Sequence, residues 1–248
     1  MKVDLHVHTT QYSRCSRVDP ADVVPAAVRA GLDVVVITEH NTLWPVEDFK
    51  RFDNDRVRVF NGMEITASDG HDYLAIGPDL VGFYGGMDTD ELSWMANRNG
   101  AALIVAHPFR FSVNPPGHLR EMNLAAVEVA SVNMYGPRER VLADELARDL
   151  AVASVAASDA HMQQAIGARF TLTKRPIHTV EDLVGCLRDR LVEPVVRNPR
   201  PDDLVDCIRG CQAERVKRKI DHGMREPESI KAVTGAPLDV IHQMLGGG

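Results

Sequence analysis

Short apolar segments of strand length alternate with helical patterns along most of this chain, and this alternation restricts the folds that it can adopt. Residues 3–8 alternate apolar and polar side chains with the period of two that is typical of a strand. A helix is predicted over 21–30, and the β-branched run over 33–38 indicates a buried strand. A strand, a helix and a second strand in this order predict a parallel sheet.

The same alternation continues to about residue 198. Further strands are predicted over 56–65, 72–76, 101–106, 125–131, 152–157 and 193–196, and further helices over 88–97, 137–149 and 180–190. Repeated βα units of this length give either a doubly wound sheet or a barrel. The chain has 248 residues, which is a length that one α/β barrel fills by itself.

The pattern changes in the C-terminal part of the chain, where no further strand-like run follows. One helix is predicted over 202–219, and its last residues, 215–219, form a basic cluster. Two short helices are predicted over 229–245. We therefore predict an α/β domain over 1–198 and a helical C-terminal extension over 199–248 that packs on it.

Composition and charge exclude several classes of protein. The 44% of hydrophobic and 25% of charged residues are typical of a globular chain and exclude a disordered or fibrous one. A net charge of −7 argues against a general nucleic-acid binder, because phosphate binding needs a positive surface. No apolar run approaches the roughly 18–20 residues that span a bilayer, and no signal peptide is visible. With four cysteines that follow no disulfide framework, we expect a cytoplasmic protein without membrane attachment.

Histidines and carboxylates recur where the predicted strands end. His6 and His8 are two residues apart on the first strand, so both side chains project to the same face. In an α/β barrel such strand ends converge on the face where active sites form. The candidate metal ligands found in this way are His6, His8, His40, Glu64, His71, His107, Asp159 and His161.

This set of ligands predicts a site with more than one metal ion. Imidazole nitrogens and carboxylate oxygens suit Zn, Mn and Fe. Eight candidates exceed the four ligands of one tetrahedral zinc, and they fit two or three divalent ions that share a bridging carboxylate. Paired ions of this kind activate water for phosphoester hydrolysis. Any one of these histidines alone is more often a structural residue, so the prediction depends on the set as a whole.

Five short motifs resemble those of the PHP family (polymerase and histidinol phosphatase domains), and they occur in the family's order. They are Asp4-Leu5-His6-Val7-His8-Thr9, Ile37-Thr38-Glu39-His40-Asn41, Gly62-Met63-Glu64-Ile65 with the downstream His71, Ala106-His107-Pro108, and Ser158-Asp159-Ala160-His161. Each motif is weak alone, but together they are specific. The resemblance implies an α/β fold, a distorted (β/α)7 TIM-like barrel, with a C-terminal helical extension in this chain.

The resemblance also implies how the metal ions share their ligands. For the first ion, the implied ligands are His6, His8, Glu64 and Asp159. Glu64 is expected to bridge to a second ion, which His71 and His107 complete. His40 and His161 are expected to serve a third ion. These two histidines are also the candidate catalytic residues, because either could protonate the leaving group if it is not fully committed to metal.

The loop after the first strand departs from the family pattern. It contains Cys15 where the family often has an Asp. A thiolate is a competent zinc ligand, and a free thiol beside a site that has lost its third ion is an equally good interpretation. Glu39 replaces the usual Asp of the second motif, so its supporting role can differ.

The predicted reaction is hydrolysis of a phosphomonoester, a small phosphorylated metabolite or a nucleotide, by a metal-activated hydroxide. Arginine suits a phosphate group because its planar fork binds two oxygens. The candidates are Arg14, Arg110 and Arg169, each of which could instead be a solvated surface charge.

Two other functions stay open. The first is a PHP-type phosphodiesterase or nuclease that acts on DNA, in which the basic cluster at 215–219 contacts the nucleic-acid backbone. The second is a degenerate metal-binding module without activity, which the retained ligand set disfavours. The sequence indicates neither the substrate, nor the metal, nor the oligomeric state.

Overall fold

The structure is a computed structural model that describes residues 1–110, 115, 117–132, 137–197, 216, 220, 223–234 and 238–245. Contacts between residues divide the chain into two units, Met1–Arg197 and Asn198–Gly248. The predicted packing of the C-terminal extension on the barrel stays a prediction. The helix predicted over 202–219, with its basic cluster, lies almost entirely outside the described residues.

Nine strands form one sheet in the first unit. They are β1 (Lys2–Val7), β2 (Val34–His40), β3 (Arg58–Thr66), β4 (Asp72–Ile76), β5 (Ala102–Val105), β6 (Leu124–Ala130), β7 (Ala153–Ala156), β8 (Arg169–Thr173) and β9 (Val192–Val196). Their order is β7-β6-β5-β4-β3-β2-β1-β8-β9. Strands β1 to β3 are parallel, and so are β5 to β7. Strand β4 is antiparallel to both of its neighbours, and β8 is antiparallel to β1 and β9.

In the first unit, helices connect and cover these strands, and further helices belong to the second unit. They are α1 (Pro20–Ala30), α2 (Val46–Phe49), α3 (Thr89–Arg98), α4 (Pro137–Leu150) and α5 (Val180–Arg188), followed in the second unit by α6 (Pro227–Thr234) and α7 (Leu238–Leu245). Short 3₁₀ turns lie at Lys50–Phe52, Gly117–Arg120 and Gln163–Ala165. None of the helices in the described part of the chain has the length and apolar character needed to cross a bilayer.

Local sequence signals explain where these helices begin and end. The Asp19 side chain accepts a hydrogen bond from the Ala21 amide at the start of α1. Gly31 ends the same helix in the left-handed conformation that glycine adopts without strain. Thr179 and Asp182 form a reciprocal capping box at the start of α5. These signals fix helix ends independently of the packing around them.

The sheet closes almost completely on itself. After β7 the chain runs beside β1, where the His8 amide donates to the Ala160 carbonyl at 3.1 Å and the Ala160 amide donates to the His6 carbonyl at 3.2 Å. Strand β8 fills the remaining gap between β7 and β1, and β9 packs against β7. The predicted α/β TIM-like barrel is therefore confirmed.

The number of strands differs from the seven that the resemblance implied. Strand β4 follows β3 through a tight turn rather than a helix, with Gly70 at a positive φ of 79°. Strands β8 and β9 form a second antiparallel pair, and β8 is the strand that the sequence prediction missed. Its five residues lack the long apolar run by which the buried parallel strands were recognised.

Two apolar clusters hold the helices against the sheet. In one of them Met63, Tyr73 and Leu103 pack with residues of α3 and α4. In the other, Leu74 and Ile104 pack with residues of α5. Since Tyr73 and Leu74 are adjacent on β4 and belong to different clusters, both faces of this strand are buried.

The closure of the barrel is tested at Thr171, whose buried hydroxyl in β8 bridges to β7. It donates to the Ala156 carbonyl at 2.8 Å and accepts from the Ala156 amide at 3.0 Å. Thr171→Val keeps the side-chain shape but leaves both backbone groups unpaired, so we expect the free energy of unfolding to fall by about 1–3 kcal/mol. Urea denaturation measures this change. Thr171→Ser is the control that retains the hydroxyl, and equal losses in the two variants would contradict the bridge.

Candidate metal centre

The predicted ligands lie at the carboxyl ends of parallel strands, as the barrel geometry requires. His6 is on β1, His40 ends β2, and Glu64 is near the end of β3. His107 follows β5 by two residues, and Asp159 follows β7. Except for His40, which is partly exposed, these side chains are buried. Segments that are far apart in the chain therefore supply one compact site.

Glu64 lies at the centre of this site between four imidazoles. Its Oε1 is 3.3 Å from His6 Nε2 and 3.0 Å from His107 Nε2. Its Oε2 is 3.3 Å from His8 Nε2 and 2.6 Å from His40 Nδ1. Each carboxylate oxygen thus faces two ring nitrogens, which is an arrangement suited to a ligand that bridges two cations.

Asp159 provides a second carboxylate on the same cluster. Its Oδ1 is 3.5 Å from His6 Nε2 and 3.3 Å from His8 Nε2. The same oxygen is 3.3 Å from His161 Nδ1. The backbone of Asp159 has a positive φ of 49°, so the chain adopts a rarely used conformation to bring this side chain into the site.

Two observations indicate that these donor atoms suit a metal ion. His6 Nε2 and His8 Nε2 are buried and make no hydrogen bond with any described residue, which is costly for a polar atom unless something else binds it. They group with Glu64, with ligand atoms within 4.8 Å of one another. Two ligands about 2.0–2.1 Å from a tetrahedral ion stand about 3.3 Å apart, which matches the separations from Glu64.

His6 and Glu64 stabilise each other's charged forms. Burial alone lowers the pKa of His6, but the carboxylates of Asp159, Glu64 and Glu128 outweigh it and hold this pKa well above its ordinary value. Burial raises the pKa of Glu64, but His40 and His6 hold it well below its ordinary value. Glu64 is therefore an anion even though it is fully buried.

Two other histidines differ in charge. The pKa of His8 lies well below its ordinary value, because it is buried and the charges of His40 and His161 oppose its protonation. Burial lowers the pKa of His161, but contacts with Asp159 and Cys15 raise it to about 10. His8 is accordingly a neutral imidazole, which is the form that binds metal.

Glu128 contacts the candidate ligands His6 and His107. The sequence analysis did not identify it. One of its carboxylate oxygens is 3.1 Å from His6 Nδ1, and the other accepts from the His107 amide at 2.8 Å. Such a carboxylate fixes the ring orientation and the tautomer of a ligating histidine. The available signal was one acidic residue inside the apolar run of β6.

Glu39 holds the loop that follows β1. It accepts hydrogen bonds from the Thr9 hydroxyl at 2.5 Å, the Ser13 hydroxyl at 2.5 Å and the Trp44 indole at 3.0 Å. Its role is therefore to position the loop, which gives a physical reason for a carboxylate in the second motif.

The residue after His71 contributes a candidate ligand that the sequence analysis did not name. Among the described residues, the ligand atoms grouped with Glu64 and His107 come from Asp72. His71 Nδ1 is instead 3.5 Å from Asp69 Oδ2. Adjacent residues of a strand face opposite sides, so a shift of one position exchanges them. A ligand role for His71 stays a prediction, and Asp72 is the candidate that the structure adds.

The three candidate arginines occupy different environments. Arg110 follows His107 closely, and its charge acts on both His107 and Asp72. Arg14 is exposed in the loop after β1. Arg169 begins β8, and its Nη1 lies 3.3 Å and 3.4 Å from backbone carbonyl oxygens of its neighbours. A phosphate-binding role for each of them stays a prediction.

A sequence model of the PHP domain matches residues 4–185, which make up more than half of the chain. The chain belongs to the PHP domain family. The family resemblance expected from the five motifs is thus confirmed, and every candidate metal ligand lies inside the matched range.

Several solved structures share the fold of this PHP chain. PsfC from Pseudomonas syringae PB-5123 has a TM-score of 0.66 at 19% identity, over 86% of this chain and 98% of PsfC. A two-domain protein from Bacteroides vulgatus contains a predicted PHP-like metal-dependent phosphoesterase. It has a TM-score of 0.60 at 18% identity, over 84% of this chain and 69% of its own chain. The lesion-specific endonuclease PfuEndoQ from Pyrococcus furiosus has a TM-score of 0.58 at 17% identity, over 80% of this chain and 59% of the endonuclease. At these identities the similarity establishes the fold alone.

Glu128→Gln tests the support behind the ligands. We expect this variant to bind the same number of metal ions with about 10–100-fold lower affinity, because it weakens the contact that orients His6 without removing a ligand atom. Competition with a chromogenic chelator measures the affinity. Glu64→Gln is the comparison, since loss of a bridging ligand lowers the number of ions bound. Unchanged affinity in Glu128→Gln would contradict the role.

The metal-free protein should lose stability as the pH rises from 7 to 9. Raised pKa values mark four histidines, namely His6, His40, His107 and His161. Stability from a raised histidine pKa is complete below the unfolded value of about 6.5 and is lost as the pH rises through the folded value. The thiol of Cys15, whose pKa is lowered to about 6, makes the protein more stable as the pH rises. It is a single group, however, and the four histidines outweigh it. The lowered pKa values of His8 and Glu64 change the stability only below pH 7, outside this pH range.

Calorimetry in the presence of a chelator checks this slope. The midpoint of unfolding is expected to fall between pH 7 and pH 9 without metal. With metal the fall should disappear, because metal ions displace protons from the histidines and bind more tightly at high pH. A midpoint that rises with pH in the chelated protein would show that the histidines are not charged there.

Proposed function

We propose that this chain is a metal-dependent phosphomonoesterase that hydrolyses a small phosphorylated metabolite or a nucleotide. The observation that carries the proposal is the buried carboxylate of Glu64, which faces four imidazoles with ring nitrogens 2.6–3.3 Å away. Membership of the PHP family supports it, and so does similarity in fold to a protein with a predicted PHP-like metal-dependent phosphoesterase. A cytoplasmic location stays a prediction from composition.

We infer two or three divalent ions, which can be Zn, Mn or Fe. The residues that would hold the first are His6, His8, Glu64 and Asp159. Glu64, Asp72 and His107 would hold the second, with His71 as a further predicted ligand, and His40 and His161 would contribute to a third. When bound, these ions lower the pKa of water and neutralise charge that develops on the phosphoryl oxygens.

The side chains of the protein have distinct tasks in this proposal. Glu128 and Asp159 fix the orientation of imidazole rings through their carboxylates. Arg110 binds phosphoryl oxygens through its guanidinium group. With only the first two ions bound, His40 would be the candidate general acid, because 32% of its side chain is exposed, compared with 11% for His161; with a third ion bound, its imidazole would be a ligand instead. Its pKa is held well above the ordinary value mainly by Glu64 against the effect of burial, so it carries a proton to donate.

The proposal is tested by elemental analysis of the purified chain together with hydrolysis of p-nitrophenyl phosphate. We expect two or three ions per chain, loss of turnover after chelation, and its return with added Mn or Zn. Glu64→Gln should be inactive under all of these conditions. A metal-free chain that stays folded and inactive would refute the proposal and leave a binding module.

Arg110→Met probes recognition of the phosphate group. Loss of a charge-assisted hydrogen bond costs about 1.5–3 kcal/mol, so we expect kcat/KM for the monoester to fall about 10–100-fold. Steady-state kinetics measure the change. Arg120→Met is the control, since Arg120 is exposed and pairs with Asp149 at 3.7 Å near the amino ends of β6 and β7. Equal effects of the two substitutions would argue against a phosphate site at Arg110.

The second candidate function is phosphodiester cleavage in DNA. The similarity in fold to a lesion-specific endonuclease favours it, as does the basic cluster at 215–219, which lies almost entirely outside the described residues. Bis-p-nitrophenyl phosphate and single-stranded DNA are the matching substrates. Turnover of these compounds without turnover of the monoester would select the diesterase.

A further inference from the structure

The loop after β1 places a thiol against the histidine cluster. Cys15 Sγ is 3.2 Å from His161 Nε2, and the residue is only 9% exposed. The opposite ring nitrogen, His161 Nδ1, is 3.3 Å from Asp159 Oδ1. The thiol also interacts with His40. It therefore lies among candidate metal ligands rather than in the apolar core.

Hydrogen bonds on both sides hold this thiol in place. Before it, the Ser13 hydroxyl donates to Glu39 at 2.5 Å. After it, the Ser16 hydroxyl donates to the His8 carbonyl at 2.8 Å, and the Arg17 amide donates to the His161 carbonyl at 2.8 Å. The loop is thus tied to the same strand ends that carry the histidines. Preorganisation of this kind is what a ligand residue on a loop requires.

An independent feature of the cluster indicates that it binds a cation. His8, His40 and His161 present ring nitrogens within 4.8 Å of one another. His8 is fully buried, and its Nε2 makes no hydrogen bond with any residue that the structure describes. Since His8 is a ligand proposed for the first ion, the donors left beside the thiol are the imidazoles of His40 and His161, a nitrogen and sulfur set that differs from the nitrogen and oxygen set around Glu64.

We propose that Cys15 Sγ is a ligand of the metal ion that His40 and His161 hold, and that this sulfur makes the position selective for zinc over manganese. On binding, the sulfur bonds to the ion as a thiolate, and any proton on the thiol and on the metal-binding nitrogens of His40 and His161 passes to solvent. Thiolates favour zinc, whereas carboxylate and water ligands suit manganese. The inference rests on the metal-binding part of the proposed function and is independent of the substrate.

Cobalt provides a direct test, because sulfur bonded to Co²⁺ gives strong charge-transfer absorption in the near ultraviolet. The full-length protein is titrated with Co²⁺ after chelation. We expect this absorption in the wild-type protein and its loss in Cys15→Ser. Its absence from the wild type, or its survival in Cys15→Ser, would overturn the proposal.

The other cysteines supply matched controls. Cys186 is a buried free cysteine in α5, so Cys186→Ala should retain the absorption. Cys207 and Cys211 lie outside the described residues, and the double variant Cys207→Ser with Cys211→Ser should retain it as well. Loss of absorption in the double variant alone would place the sulfur ligand in the C-terminal unit and refute Cys15.

Metal preference is the second readout. Competition with a chelator should show that Cys15→Ser loses about 100-fold or more in zinc affinity at one position, since even the partners of ligands are worth about 10–100-fold. Cys15→Asp should keep the number of ions while manganese gains relative to zinc. Circular dichroism in chelator, with the wild-type spectrum in both variants, shows that the fold is intact. An unchanged zinc-to-manganese ratio in Cys15→Asp would contradict the inference.

These measurements separate the inference from the proposed enzyme activity. Cobalt–sulfur absorption in a protein that hydrolyses no phosphate ester would support Cys15 and refute the phosphatase. Metal-dependent turnover without this absorption would support the phosphatase and refute Cys15 as a ligand. A thiol beside an imidazole is also the arrangement of a cysteine nucleophile. Loss of turnover in Cys15→Ser without cobalt–sulfur absorption in the wild type would favour that role and overturn ours.

Discussion

The buried carboxylate of Glu64 among its imidazoles is the interaction on which the rest of the barrel mouth depends. A charge with no access to solvent is costly, and it persists only where opposite charges and ligands surround it. Those partners come from the ends of β1 and β2 and from the segment after β5. The strands must therefore end at the same level, and the closed sheet is what keeps them there.

The candidate ligands are held in place by a second layer of carboxylates and by unusual backbone conformations. Glu128 reaches two ligand-bearing segments at once, and Glu39 ties down the loop after β1. Asn41, His107 and Asp159 have positive φ values of 54°, 28° and 49° without being glycine. Each such residue costs of order 1–3 kcal/mol, and residues of this kind cluster where the surrounding structure fixes a functional geometry.

Much of this arrangement could be predicted from sequence, because a buried strand and the polar residue at its end are local features. Most strands and the helices of the barrel follow from periodicity, and the candidate ligands on β1, β2 and β3 follow from motifs. Asp72 could not be recognised as a further candidate beside His71, because its position in the cluster depends on how β4 pairs with β3. Strand β8 could not be recognised, since its position is set by the gap between β7 and β1. Glu128 was visible only as one charge in an apolar run, which has several explanations.

The join between the first strand and the segment after β7 has a consequence for the order of folding. Asp4 binds the Ser158 amide at 2.9 Å and the Gly167 amide at 2.8 Å, across sequence separations of 154 and 163 residues. Contacts of such high contact order form late, after the intervening units have folded. During synthesis the amino-terminal histidines emerge long before Asp159 and His161, so a nascent chain holds only a fragment of the donor set. The complete set of donor atoms is therefore brought together only in the finished barrel.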